Sequence, residues 1–228
     1  MQYLGGKSSI AADLTEVIKS RHSERSLAIE PFCGGGAMTV ALAGIFDKVS
    51  AYDLHPDLIR MWQALRDGWI PPDNVTEMEY SDLSYASPSA LRAFVGFNSY
   101  AGKWFGGYPR NEMETNYFQR SKNVLLNDIA KMQNVEFNRS DFSKIIVPSG
   151  AVVYADPPYS GTTKYSETFS AYRFWFFVKK WAAAGATVYV SEYKAPPGVP
   201  CIWEQTIHGK MKEKKIVEKL FVMEPESA

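Results

Sequence analysis

The chain has 228 residues, of which 46% are hydrophobic, and its 25 basic and 25 acidic side chains give a formal net charge of +0. This balance excludes binding of nucleic acid through an overall positive surface, so any such contact must come from a local patch. The length is sufficient for one large hydrophobic core, or for one domain that carries an insertion.

The cysteines, the histidines and the lack of long apolar runs indicate the cellular setting. Two cysteines without a pairing pattern are typical of a reduced cytoplasmic protein. The N-terminus lacks the apolar segment of a signal peptide, and no apolar run approaches the roughly 18–20 residues of a membrane span. The three histidines are scattered and have no Cys, Asp or Glu at metal-ligand spacing. We therefore expect a cytoplasmic protein that needs neither a membrane nor a metal.

The elements predicted along the chain alternate between helices and strands. Helices are predicted over 8–20, 37–46, 56–66, 89–97, 123–132 and 169–184. Strands are predicted over 26–30, 49–52, 135–139, 151–155 and 187–191, followed by a closing antiparallel pair over 201–208 and 216–223. This strand–turn–helix alternation is typical of an α/β protein with a doubly wound, mainly parallel sheet.

The alternation breaks after Gly68. Residues 71–120 are rich in Pro, Asn, Ser, Gly and aromatic residues, and a stretch of this kind inside an α/β domain is usually functional or inserted. We expect a small inserted region of helices and loops at 71–120, and a main domain formed by 1–70 and 121–228.

A glycine turn and an aspartate predict a nucleotide-like cofactor. Phe32-x-Gly34-x-Gly36 lies between a strand and a helix, but it lacks the full dinucleotide fingerprint and the Lys-Ser/Thr pair of a phosphate-binding loop. Asp53 ends the next strand about 20 residues on, where an acidic residue binds a ribose hydroxyl. Together they fit a nucleoside without pyrophosphate, such as S-adenosylmethionine. The alternative is a tightly packed turn and a helix-capping aspartate.

Gly5-Gly6-Lys7 precedes the first predicted helix. The glycines would let the backbone approach a cofactor, and Lys7 would help to bind a carboxylate of that cofactor. The alternative is a flexible N-terminus with a solvated lysine.

The sequence Asp156-Pro157-Pro158-Tyr159 follows the buried strand predicted over 151–155. The Asp156 carboxylate and a proline carbonyl can accept both hydrogens of an exocyclic amino group, which would orient the nitrogen lone pair toward an electrophilic methyl group. Tyr159 would stack on a planar base. Since the amino group is paired inside a duplex, the base must first be flipped out. The alternative is a strand-ending turn with a surface tyrosine.

The inserted region supplies amides, aromatic rings and cations that are suited to contacts with base edges and phosphates. The alternative is an ordinary solvated loop. The candidate DNA-binding residues are Asn98, Tyr100, Lys103, Trp104, Arg110, Asn116 and Arg120.

Taken together, these motifs resemble the DNA adenine amino-methyltransferases of the Dam-like (deoxyadenosine methylase) family. The matching motifs cover most of the chain in that family's order: Tyr3-x-Gly5-Gly6-Lys7, Glu30-Pro31-Phe32-x-Gly34-x-Gly36-Ala37, Asp53, the insertion, Asp141-Phe142, Asp156-Pro157-Pro158-Tyr159 and Val190-Ser191-Glu192-Tyr193.

The resemblance implies a Rossmann-like, S-adenosylmethionine-dependent methyltransferase sheet whose insertion recognises the target. It implies that Asp141 and Phe142 flank the adenine of the cofactor, and that Asp156 serves both cofactor and target. The expected catalytic residues are Asp156, Pro157, Pro158 and Tyr159. The expected cofactor-binding residues are Tyr3, Gly6, Lys7, Glu30, Phe32, Gly34, Gly36, Asp53, Asp141, Phe142 and Asp156.

The expected activity is transfer of a methyl group from S-adenosylmethionine to adenine N6 in double-stranded DNA, by direct displacement after base flipping. A cytosine N4 methyltransferase and a non-catalytic DNA-binding regulator on the same scaffold remain as alternatives. The expected partner is double-stranded DNA, bound by a monomer. The sequence leaves open the recognition site and an association with a restriction endonuclease.

Overall fold

A computed structural model describes residues 6–99, 103–110, 116–158, 169–208 and 215–225. Within these residues, seven strands form one sheet in the order β3-β2-β1-β4-β5-β7-β6. The strands are β1 (Leu27–Glu30), β2 (Lys48–Asp53), β3 (Val135–Arg139), β4 (Val152–Ala155), β5 (Thr187–Ser191), β6 (Cys201–His208) and β7 (Lys215–Met223). β1 to β5 are parallel, whereas β7 runs antiparallel to both β5 and β6. The predicted α/β class and the closing antiparallel pair are confirmed.

Helices precede, connect and flank these strands. They are α1 (Ala11–Arg21), α2 (Ala37–Ala43), α3 (Pro56–Arg66), α4 (Glu77–Tyr85), α5 (Ala90–Phe97), α6 (Tyr117–Ala130) and α7 (Ala171–Ala183), and a short 3-10 helix spans Phe142–Lys144. None of the helices in the described ranges is long and apolar enough to cross a membrane.

Two helices differ from the prediction, and each difference has a local cause. The prediction has no helix over 77–85, yet α4 forms there because Thr76 and Glu79 make a capping box, in which each side chain bonds the backbone N–H of the other. Helix α6 begins at Tyr117, earlier than predicted, because the Asn116 side chain accepts the backbone N–H of Gln119. Both caps are readable in the sequence.

The central strands β4 and β5 are buried on both faces, which explains why most of their residues are apolar. All residues of β4 and β5 are buried, as expected for parallel strands covered by helices on each side. One face packs against α1, α2, α3 and the inserted helices, and the other packs against α7. The core therefore fixes the strand ends, where the site lies.

The inserted region is attached to α3 by a buried ion pair. The Arg92 guanidinium of α5 lies 2.9 Å from the Asp57 carboxylate of α3. The same guanidinium donates to the carbonyls of Leu83 and Ser84 in α4, at 2.9 and 3.1 Å. It thus joins α4 and α5, the two helices of the predicted insertion, to α3.

Candidate active site

Four strands of the parallel part of the sheet carry polar side chains at the same edge. Glu30 ends β1, Asp53 ends β2 and Ser191 ends β5, while Asp156 follows β4 directly. Because these strands are parallel, their carboxyl ends meet at one edge, where open α/β sheets bind ligands. The topology therefore assembles the candidate residues from four separate parts of the chain.

Lys7 and Asp156 form a buried ion pair at this edge. The Lys7 ammonium lies 2.9 Å from Oδ1 of Asp156 and 3.6 Å from Oε2 of Glu218, which belongs to β7. The side-chain exposures are 5% for Lys7, 19% for Asp156 and 9% for Glu218. Since a buried charge is tolerated only when it is paired, the Lys7 ammonium stabilises the two carboxylates, which would otherwise repel each other. Asp156 is the member most open to solvent.

Asp53 fixes the glycine turn. Its carboxylate accepts the backbone N–H of Gly34 at 3.0 Å and that of His55 at 2.8 Å. Burial raises the pKa of Asp53 above its ordinary value, and these two hydrogen bonds offset part of that rise. Each oxygen keeps a lone pair that can accept a ligand hydroxyl.

Gly36 shows why the turn requires glycine. Its φ of +77° lies in the left-handed region, and a Cβ added there would lie 2.7 Å from Cζ2 of Trp62. The indole N–H of Trp62 donates to the carbonyl of Gly34 at 3.1 Å. Trp62 of α3 therefore fixes the turn, because it packs against Gly36 and bonds the carbonyl of Gly34.

Glu30 lies under this turn and is only 2% exposed. Burial raises the pKa of its carboxyl well above the ordinary value; the hydrogen bond from Thr39 opposes the rise, and the charges of Asp156 and Asp53 add to it. The Thr39 hydroxyl lies 2.6 Å from Oε2 of Glu30. A neutral Glu30 beneath the turn is the state that this burial favours.

An aromatic cluster borders the site on the side of α7. The ring of Phe32 lies 5.5 Å from that of Phe142 and 5.8 Å from that of Phe174. The Arg173 guanidinium lies 5.3 Å from the centre of the Phe142 ring and 3.3 Å from Asp141. Although burial alone would raise it, hydrogen bonds from Ser143 and the charge of Arg173 hold the pKa of Asp141 below its ordinary value. Asp141 is therefore an ionised acceptor beside an aromatic ring.

The chain that carries these residues matches a family model. The model of the D12 class N6 adenine-specific DNA methyltransferases matches residues 3–88 and 74–195, which is most of the chain. The chain belongs to this family. The resemblance inferred from the motifs is confirmed, and the protein is a methyltransferase.

Comparisons with other proteins add structural neighbours at low identity. A candidate RNA methyltransferase from Pyrococcus horikoshii is 11% identical, with a TM-score of 0.49 and coverage of 97% of this chain and 86% of that chain. A protein from Thermoplasma acidophilum is 13% identical, with a TM-score of 0.48 and coverage of 96% and 90%. A candidate methyltransferase from Escherichia coli is 10% identical, with a TM-score of 0.46 and coverage of 99% and 91%. A comparison with curated protein sequences finds no match.

Three predicted site residues of the methyltransferase lie outside the described residues, namely Tyr3, Tyr100 and Tyr159. Of the predicted catalytic group, the structure describes Asp156, Pro157 and Pro158. Their roles, and those of the cofactor-binding residues, stay predictions.

The predicted DNA-binding residues of the methyltransferase are not all alike in their surroundings. Lys103, Arg110 and Arg120 are exposed, and the Arg110 guanidinium lies 3.5 Å from the carboxylate of Glu77. Trp104 packs instead against the rings of Phe97 and His55, with 4.6 Å between ring centres in both cases. The exposed cations are therefore available to a partner surface, whereas the Trp104 ring stabilises the insertion.

The two asparagines of this group have structural contacts. Asn116 caps α6, and its side-chain amide also donates to Asn74 at 2.6 Å. Asn98 is 5% exposed; its amide nitrogen donates to the carbonyl of Phe94 at 2.7 Å, while its Oδ1 has no hydrogen-bond partner among the residues that the structure describes. Their DNA contacts stay predictions.

Glu218 is the site residue that the sequence prediction missed. It lies in β7 on the same face as the buried Leu220 and Val222, since alternate strand residues share a face. A carboxylate at a core-facing position requires a partner, and this was the available signal. Among the described residues, no group of His, Cys, Asp and Glu side chains could hold a metal ion.

Proposed function

We propose that this methyltransferase transfers a methyl group from S-adenosylmethionine to the N6 amino group of adenine in double-stranded DNA. The observation that carries the proposal is Asp156, held at the end of β4 by the buried ammonium of Lys7 and followed by Pro157 and Pro158. This arrangement offers fixed acceptors for the two hydrogens of an exocyclic amino group. Membership of the D12 family supports adenine as the base.

The residues around the glycine turn fit the proposed cofactor. When bound, S-adenosylmethionine supplies a methyl group made electrophilic by a positively charged sulfur. Asp53 would accept ribose hydroxyls, because its position is fixed by two backbone N–H groups while both oxygens keep lone pairs. Phe142 and the ionised Asp141 would hold the adenine ring and its amino group.

Asp156 and the Pro157 carbonyl would act on the target amino group in two ways. By accepting its hydrogens they would turn the nitrogen lone pair toward the methyl carbon, so that the reacting atoms are aligned. The negative charge of Asp156 and the dipole of the carbonyl would also stabilise the positive charge that develops on the nitrogen as the new bond forms and the bond between methyl and sulfur breaks. The cofactor would then leave as a neutral thioether, and the methylated amino group would lose one proton to solvent. Such contacts require the adenine to be flipped out of the duplex.

The exposed cations of the insertion and the first turns of α6 support a DNA-facing surface. Arg120 lines a groove of about 480 Å³ along α6 together with amide side chains, including Gln119 and Asn123. Arginine and amide groups suit contacts with phosphates and base edges. The neutral net charge makes such a local surface necessary.

Methyl transfer with an isotope-labelled methyl group tests the proposal. The protein is incubated with labelled S-adenosylmethionine and unmethylated duplex DNA, and the DNA is digested to nucleosides. We expect the label in N6-methyladenine. Label in N4-methylcytosine would identify the cytosine alternative, and label only in RNA or protein would refute the proposal.

Calorimetry separates the enzyme from a non-catalytic regulator. We expect binding of S-adenosylmethionine, because a pure DNA-binding protein has no use for the Asp53 and glycine-turn arrangement. DNA binding without cofactor binding would favour the regulator.

A further inference from the structure

Glu218 reaches the site from a strand that runs against the others. In the pairing of β5 with β7, Ser191 lies opposite Leu220, so Glu218 lies just beyond the carboxyl end of β5. That is the edge at which Asp156 follows β4. The antiparallel strand therefore brings a carboxylate to the site that no parallel strand supplies.

The ammonium of Lys7 is shared between two carboxylates. It lies 2.9 Å from Asp156 and 3.6 Å from Glu218, and all three groups are largely buried. When all three are ionised, one positive and two negative charges leave the cluster with one net negative charge. A lysine that had only Asp156 as its partner would neutralise that carboxylate more completely.

We propose that Glu218 is a positioning residue for methyl transfer, which holds Lys7 in place and leaves Asp156 with negative charge to act on the target amino group. The inference rests on the proposed function. Through Lys7, Glu218 would strengthen Asp156 as a hydrogen-bond acceptor at the moment when the amino nitrogen becomes positive. Glu218 itself would not touch the base.

Other titratable groups also face this cluster. The charges of Asp156 and Glu218 act on two tyrosines, Tyr154 in β4 and Tyr193 after β5. The charge of Glu30 also acts on Tyr154, and that of Glu192 on Tyr193. Burial raises the pKa of both tyrosines, so they stay neutral at the pH values at which carboxylates titrate. The neighbour of Glu218 across β6 is the uncharged Gln205.

The pH profile of kcat tests the proposal with Glu218→Gln, which removes the charge at nearly constant size. We expect kcat to fall by about 10- to 100-fold, less than on removing a group that contacts the target directly, with KM for DNA little changed. Loss of a negative charge favours ionised Asp156 and disfavours the ammonium of Lys7. The two limbs of the pH profile, which are its rise at low pH and its fall at high pH, should therefore both move to lower pH.

Two further variants give the matched comparisons. Glu218→Asp keeps the charge, so its limbs should stay close to those of the wild type. Glu204→Gln removes an exposed carboxylate of the same hairpin, which lies 3.6 Å from Lys219, and should leave kcat and both limbs unchanged. A merely structural role of Glu218 would lower the active fraction without moving either limb.

A double variant tests whether Glu218 acts through Lys7. In a Lys7→Gln background, Glu218→Gln should lower kcat little further, because the group through which it acts is already absent. Full additivity of the two losses, or a Glu218→Gln variant with wild-type kcat and limbs, would overturn the proposal.

A measurement that needs no activity separates this inference from the proposed function. NMR of labelled lysine follows how fast the Lys7 ammonium exchanges its hydrogens with water, and this exchange should be faster in Glu218→Gln, where Lys7 has lost one of the carboxylates that hold it. Absence of methyl transfer by the wild type would remove the proposed function, while an unchanged exchange rate at Lys7 would remove the role of Glu218. If Glu218→Gln does not fold, Glu218→Met, which also removes the charge, is measured, and wild-type kcat together with an unchanged exchange rate at Lys7 overturns the inference.

Discussion

Different interactions stabilise the sheet edge and the inserted region. At the sheet edge, charged groups fix one another and the backbone, as Lys7 does with Asp156 and as Asp53 does with the glycine turn. In the insertion, aromatic rings and the ion pair of Arg92 with the buried Asp57 fix the helices. Trp104 packs on Phe97, and the Arg92 guanidinium lies 5.0 Å from the centre of the Trp104 ring.

This difference shows why similar residue types do different work in the two regions. Polar residues at the end of a parallel strand face a common edge whatever their neighbours are, since the topology places them there. Aromatic and polar residues in an inserted loop face whatever surface stabilises the loop, and Trp104 and Asn98 accordingly lie against protein. We therefore expect changes at the edge to affect chemistry and changes in the insertion to affect stability first.

The largest effect is expected for Asp156→Ala. Removal of the carboxylate takes away an acceptor of the target amino group, so kcat should fall by about 1,000-fold or more. The measurement is labelled methyl transfer to duplex DNA. Asp73→Ala is the control, because it removes an exposed carboxylate of the insertion, which pairs with Lys122 of α6. Near-normal transfer by Asp156→Ala would refute the catalytic role of this residue.

The next effect is expected for Arg92→Met in the insertion. Asp57, with a side chain 2% exposed, would keep its charge and lose its guanidinium partner, which should lower the free energy of unfolding by about 3–5 kcal/mol. Chemical denaturation measures this loss. Binding of S-adenosylmethionine should persist under conditions where the variant is folded, because Arg92 does not contact the sheet-edge residues named above.

Lys122→Met is the matched control for Arg92→Met. It breaks an ion pair of the same length, 2.9 Å, but Asp73 in that pair is 53% exposed. Its cost should be at most about 1 kcal/mol. Equal losses in the two variants would contradict the view that burial of Asp57 decides the effect.

The placement of Asp53 and Asp156 at one sheet edge could be predicted from the sequence, because it depends on strand order and on motifs with a local geometry. Asp53 and Asp156 each follow an apolar strand, and the parallel topology brings them to one edge. Lys7 was predicted to contact the cofactor, and its ion pair with Asp156 required the folded chain. Glu218 was not predicted, because its partner Lys7 is distant in sequence and because its strand, β7, runs antiparallel to its neighbours.

The insertion was less predictable, since its fold depends on contacts rather than on periodicity. Helix α4 has almost no apolar side, and its only buried residue is Tyr80. Its signal was the capping box at Thr76 and Glu79, which is local and could have been recognised. The pairing of Arg92 with Asp57 joins residues far apart in the chain, and no pattern within the insertion indicates it.

A smaller effect at the sheet edge is expected for Gly36→Ala. Alanine would have to adopt the left-handed backbone conformation of Gly36, and its Cβ would lie 2.7 Å from Cζ2 of Trp62. Gly150→Ala is the matched control, with a φ of +79° and no atom of the described part of the chain within 4 Å of the added Cβ. The variant at Gly36 should therefore lose about 1–3 kcal/mol more free energy of unfolding than the variant at Gly150. Equal losses would show that the Trp62 ring yields without cost.

The last expected effect is a dependence of the protein's stability on pH through Glu30. Burial raises the pKa of this carboxyl well above its ordinary value, so the folded state favours the protonated form. A raised folded-state pKa gives stability that is fully present below the unfolded pKa and is lost as the pH rises toward the folded one. The free energy of unfolding contributed by Glu30 should thus decrease with rising pH, by at most about 1.4 kcal/mol per pH unit.

Glu30→Gln isolates this contribution, because glutamine is a neutral side chain of nearly the same shape that can still bond Thr39. Denaturation at several pH values from 5 to 8 should show the variant gaining stability relative to the wild type as the pH rises. Glu136→Gln, an exposed glutamate of β3 that pairs with Lys48, should keep the wild-type trend. A constant difference between Glu30→Gln and the wild type over this range would mean that Glu30 keeps the same ionisation state in folded and unfolded chains. In that case Glu30 would be a buried negative charge in the folded protein. Its charge would then act on Asp156, which a neutral Glu30 would not do.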